Sequence, residues 1–133
     1  MKFLCLGYFD REKMAALSET EVAAAMEECA PHLNELYASG RVIVDTGLGQ
    51  ECRSLRRVAD KLAVIDGPFA ETKEVIGSAI LIEARDMDEA VRLASLHPTT
   101  RISAGERLGW RLEVRPVHYF GGNVAKGKEN SSA

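Results

Sequence analysis

Residues 2–8 carry apolar side chains on both alternating faces, Phe3 and Cys5 on one and Leu4, Leu6 and Tyr8 on the other, which predicts a strand in the middle of a sheet. Ser18-Glu19-Thr20-Glu21 has the spacing of a capping box, so a helix is expected to start there. Val22, Met26, Cys29, Leu33 and Leu36 follow as an apolar stripe at spacings of four and three, with Glu21, Glu28 and Glu35 on the opposite side and Gly40 at the end. Pro31 falls inside that stripe, where a missing N–H and a ring clash predict a kink or break near Ala30. Arg41 to Val44 reads as a strand, and Ser54 to Val58 with Leu62 to Ile65 reads as a hairpin turning at Ala59-Asp60.

Residues 75–84 are apolar or small on both faces and predict a second central strand. Asp86-Met87-Asp88-Glu89 opens a second helix with an acidic first turn, which Pro98 is expected to stop two residues after Leu96. Trp110, Leu112 and Val114 alternate with Arg111, Glu113 and Arg115, giving a last strand with one apolar and one charged face. Two helices can cover one face of such a sheet, yet both central strands are apolar on two faces. A second copy of the chain is the simplest cover, so a homodimer is expected.

Composition narrows the class. At 133 residues, with 46% hydrophobic and 28% charged positions, the chain suits one globular domain. A net charge of −3 is a poor footprint for direct nucleic-acid contact, and the cluster Arg53, Arg56, Arg57 is too short to reverse it. Cys5, Cys29 and Cys52 are odd in number and widely spaced, without the Cys-x-x-Cys spacing of a metal or redox pair. The short apolar N-terminal run is interrupted before signal-peptide length, and no run approaches membrane-spanning length; the expectation is a cytoplasmic protein. Gly121 to Ala133 is rich in Gly, Lys, Asn and Ser and reads as a flexible tail.

The most specific stretch is Asp66-Gly67-Pro68-Phe69-Ala70-Glu71-Thr72-Lys73-Glu74, which resembles the signature of the DGPF branch of the YCII-related family. The likeness extends through Val75 to Ala84, Asp86-Met87-Asp88-Glu89-Ala90 and Glu113-Val114-Arg115-Pro116-Val117. It implies a domain over residues 1–120, the tail 121–133 excluded, with an α+β, ferredoxin-like sheet, two helices on one face, paired as a dimeric α+β barrel. Better-studied relatives resemble small-ring-fission-product enzymes, in which a His-Asp pair abstracts a proton or removes chloride without a metal, so no cofactor is expected. The helix position of that histidine falls, by distance from Gly40-Arg41, on Cys29, with His32 one turn later. Many members lie beside extracytoplasmic-function sigma factors, which implies as the alternative a regulatory or accessory protein with a protein partner.

Asp66-Gly67-Pro68 has the chemistry of a turn: aspartate bonds the backbone ahead, glycine admits positive φ, and proline fixes the next dihedral. A structural turn is one reading. The other is catalytic. In an apolar pocket Asp66 would be raised toward a general base, while Lys73 orients an anionic substrate and Glu71 and Thr72 contact it. Against that, Lys73 can simply pair with Glu71 or Glu74 at the surface. Arg111 and Arg115 lie on the charged face of the last strand, as a solvated face or as a carboxylate-binding pair. His32, His97 and His118 are scattered without metal-ligand spacing, and His97 is expected as a cation complementing a helix end. Together these features lead to a dimer binding a small anionic organic molecule, as a metal-free lyase or isomerase using Asp66; the alternative is the non-enzymatic accessory protein.

Overall fold

The alternating pattern at the N-terminus becomes a nine-residue strand, β1 (Lys2–Asp10), with Phe3 and Cys5 1% and 2% exposed and Leu4, Leu6 and Tyr8 half-buried on the other face. The computed structural model describes residues 1–68 and 72–122. After β1 come α1 (Arg11–Ala15), α2 (Glu19–Ala38), β2 (Val42–Gly47), β3 (Arg53–Val58), β4 (Lys61–Asp66) and β5 (Glu74–Glu83). Then follow α3 (Met87–Ala94), α4 (Pro98–Arg101), α5 (Ser103–Arg107) and β6 (Arg111–Pro116). The main sheet is antiparallel with order β2-β5-β1-β6, so the two strands that are apolar on both faces are the two inner ones. With the β3–β4 pair set aside as an insertion, that is the ferredoxin-like order, each helical crossover skipping one strand.

The core lies on the helix side. Phe3, Cys5, Ile80, Ile82 and Ala84 pack against Ala90 and Ala94 of α3. A second cluster joins Ala25 of α2 to Ala104 and Leu108, with Met14 and Trp110 half-buried beside it. The α2 cap forms as its spacing demands: the Ser18 hydroxyl accepts from the Glu21 N–H at 3.1 Å, and the Glu21 carboxylate accepts from the Ser18 N–H at 3.0 Å.

Four expectations change. The helix α2 runs unbroken through Pro31, whose ring points to solvent, because the tertiary contacts of Cys29 and Leu36 hold the turns on either side. Its buried stripe is Ala25, Cys29 and Leu36; Met26 is 51% exposed. The helix α3 ends at Ala94, ahead of Pro98, which occupies the first position of α4. The helix end at His97 is therefore an N-terminus, and the ring serves as an N-cap acceptor for Thr99 N–H instead of complementing a C-terminus. Of the tail expected over 121–133, residues 123–133 lie outside the described residues, and no described helix is long and apolar enough to cross a membrane.

The β3–β4 hairpin turns at Ala59-Asp60, both with positive φ (51° and 64°), which is a two-residue type I′ turn as the spacing required. It forms its own two-stranded sheet and stands away from the core. Leu55 and Leu62, on one face with Val64, are 64% and 67% exposed.

Candidate functional site

A cleft of about 740 Å³ opens between the base of the hairpin and the open sheet face. Its floor includes Tyr8 and Phe9 of β1 with Glu74, Val75 and Ile76 of β5; Arg53 and Thr72 stand on its walls. Local chain geometry shapes that floor. Between Gly7 and Tyr8 the register with β5 shifts, so Gly7 faces Ser78 while Tyr8 faces Ile76; Gly77 is the extra residue, and it brings Ile76 opposite Tyr8, which alternates with Leu4 and Leu6 on the open face. The hairpin base is closed by Gly67 N–H donating to the Cys52 carbonyl at 2.8 Å and by the Ser54 hydroxyl donating to the Gly67 carbonyl at 2.8 Å. Where the loop returns to the sheet, Arg11 N–H donates to the Lys73 carbonyl at 2.9 Å.

Beside the floor, three strands contribute one polar network. Arg111 of β6 lies over the Tyr8 ring, its central carbon 4.1 Å from the ring centre. It reaches past β1 to Glu74 of β5 with a two-pronged pair, Nε to Oε2 at 2.8 Å and Nη2 to Oε1 at 3.1 Å. Its remaining nitrogen, Nη1, donates to Glu113 Oε2 at 3.2 Å, and the other Glu113 oxygen accepts from the Tyr8 hydroxyl at 3.5 Å. The bonds from Arg111 hold the Glu74 carboxyl below its usual range, and the two carboxylates raise Arg111 further above its already high value.

Of the residues singled out from the sequence, Thr72 and Arg111 lie at or beside this cleft. Asp66 is at the end of β4 with its side chain 90% exposed, paired with Arg53 Nε at 3.1 Å; among the described residues of one chain no apolar pocket surrounds it. Lys73 is exposed, and Glu74, one of its two expected partners, pairs with Arg111 instead. Glu71, the other, lies outside the described residues. Arg115 is on the open face opposite Leu4, roughly 13 Å along β6 from Arg111. The two arginines therefore do not converge as a carboxylate clamp. Tyr8, Glu74 and Glu113 complete the network without having been selected. Their signal was the shared face of Leu4, Leu6 and Tyr8 with Arg111, Glu113 and Arg115, which becomes a contact once β6 is known to lie beside β1.

On the helix side, the Tyr37 hydroxyl donates to Asp45, which raises the phenol's pKa, and burial lowers that of His97 despite the Asp45 charge. Among the described residues no group of three or more His, Cys, Asp and Glu side chains could hold a metal ion.

The chain is 32% identical over 129 residues to an uncharacterised protein from Rhizobium meliloti (strain 1021), a match covering 90% of this chain and 94% of that one. Among solved structures it is similar to 5-chloro-2-hydroxyhydroquinone dehydrochlorinase from Burkholderia phenoliruptrix AC1100, in complex with 2,5-dihydroxybenzoquinone. That similarity has a TM-score of 0.47 at 18% identity, over 90% of this chain and 96% of the other. Residues 1–109 match the YCII-related domain, and the chain belongs to that family.

Proposed function

We propose that the chain is a homodimer that binds a small anionic organic molecule in the cleft between hairpin and sheet and acts on it as a metal-free lyase or isomerase. The observation that carries this reading is Arg111, laid on the Tyr8 ring beside a cleft whose floor combines apolar side chains with converging polar groups. Such a floor suits a ligand with an apolar body and one charged group. Thr72 contacts the ligand from the wall, and Glu71, its neighbour in sequence, contacts it too; Lys73 and Arg115 add positive potential. Asp66 is the proton-accepting group only where the partner chain covers it, since a carboxylate exposed to water gains no basicity from desolvation.

The test is a thermal-shift and NMR screen of small carboxylic acids against the wild-type chain and Arg111→Gln. Stabilisation by aromatic or unsaturated monocarboxylates, lost in Arg111→Gln, is the expected result. Equal binding by both proteins, or by neither, removes the reading. In a ligand found this way, conversion that Asp66→Asn abolishes with binding retained would assign Asp66 the proton transfer.

The uncovered apolar face of the hairpin favours a second reading, a non-enzymatic accessory protein that engages another protein, such as a sigma factor, through Leu55, Leu62 and Val64. Monomeric behaviour in solution together with no ligand in the screen would favour it over the first.

A further inference from the structure

We propose that Glu74 is a built-in occupant of the ligand's carboxylate seat: the Nε and Nη2 edge of Arg111 holds Glu74 in the resting protein and exchanges it for the carboxylate of an incoming monoanionic acid. This rests on the reading that the cleft takes a small anion, and adds how the seat is kept and which anions it accepts.

The geometry of the resting pair is that of carboxylate recognition in general. Two parallel N–H bonds, 2.8 Å and 3.1 Å, join one edge of the guanidinium to both Glu74 oxygens. The guanidinium does not depend on Glu74 for its position. Nη1 is held by Glu113, Glu113 is also met by the Tyr8 hydroxyl, and the Tyr8 ring supports the guanidinium plane. When Glu74 swings away, the edge it leaves remains oriented by two contacts, one of them to a Glu113 carboxylate that the Tyr8 hydroxyl also meets. The exchange is also cheap, because Arg111 and Glu74 are 44% and 43% exposed, and a pair that wet contributes little. A ligand with an apolar body gains what the Glu74 side chain does not, contact with Ile76, which lines the cleft and pairs with Tyr8 in the strand register.

Charge sets the selectivity. One guanidinium already faces two carboxylates, Glu74 and Glu113, and Asp10 lies opposite Glu74 in the strand register, close enough to oppose its charge. A third carboxylate cannot simply be added, so the ligand must replace Glu74. Glu113 stays, so a second negative charge on the ligand is repelled. The seat accordingly suits planar monocarboxylates and disfavours phosphate dianions and dicarboxylates whose second group reaches Glu113.

The probes are benzoate, uncharged benzamide and phthalate, titrated by NMR into the full chain as wild type, Glu74→Gln, Glu74→Ala and Arg111→Gln. The Arg111 Nε–H resonance is followed and folding is verified by circular dichroism. Removing the internal carboxylate should tighten benzoate about three- to fivefold, the factor corresponding to an exposed ion pair. Benzamide should respond equally in wild type and Glu74→Gln, phthalate should bind more weakly than benzoate, and Arg111→Gln should abolish benzoate binding. In Glu74→Gln the Nε–H resonance should move, and benzoate should return it toward its wild-type position. Benzoate bound no more tightly by either Glu74 variant, with Arg111 still required, overturns the exchange and leaves the binding function standing. Benzoate bound by none of the folded variants overturns both, as does binding that survives Arg111→Gln.

Discussion

His97 does with its ring what serine or aspartate does at other helix starts. Its Nδ1 accepts from Thr99 N–H at 3.1 Å, with the Thr99 hydroxyl at 2.7 Å, so the proton of the neutral ring sits on Nε2. Burial lowers the pKa, and the nearby Asp45, itself bonded by Tyr37, offsets part of that. A histidine whose folded value is depressed favours folding fully above its unfolded value, near 6.5, and loses that contribution as pH falls through the folded value. Wild-type Tm should therefore decline on acidification from about pH 7 to below 6, and His97→Asn, which keeps a capping acceptor, should flatten the decline. A similar slope in both proteins would remove His97 as its source. The carboxyls of Glu21, Glu74, Glu83 and Glu89 are all depressed, so their losses fall in a separate window at lower pH. Residue type was legible at this site; role was not, because only the chain path shows that His97 precedes a helix instead of ending one.

Elements followed the sequence wherever a local rule was strong. Ser18 and Glu21 make both bonds of the capping box, and Ser18→Ala should cost about 1 kcal/mol in chemical denaturation. The hairpin turn was placed correctly from spacing, although Ala59 and Asp60 are poor residues for two positive φ angles. Replacing them with Asn-Gly should raise stability by about 0.5–1 kcal/mol; a loss would mean that the Arg57–Asp60 ion pair matters more than backbone strain. The helix stripe was misphased by one residue at Met26 because alanine reads as a spacer. Ala25 is buried where α2 meets Ala104 and Leu108, and a side chain this small admits close approach. The short helices α1, α4 and α5 escaped notice since four or five residues carry too little periodicity to register.

For the whole molecule, doubly apolar central strands announced the sheet, and strand order then brought Tyr8, Glu74 and Arg111 together, residues too far apart in sequence for any spacing rule to join. The proposed homodimer rests on Leu55, Leu62 and Val64 of the hairpin and on Val44 and Ile76, all of them exposed in the single chain. Light scattering should give twice the chain mass, and Leu62→Glu should shift it to the monomer without unfolding the sheet; a wild-type monomer would sink this assembly. The placement of that hairpin has a consequence for how the protein can change. β2 and β5 are already antiparallel neighbours that a short turn could join, and no buried hydrophobic residue lies between Leu36 and Ile80 among the described residues. The core is thereby built without residues 48–73, so that stretch can be lengthened or trimmed, remaking the walls of the cleft while the sheet that carries Arg111 and Glu74 stays unaltered.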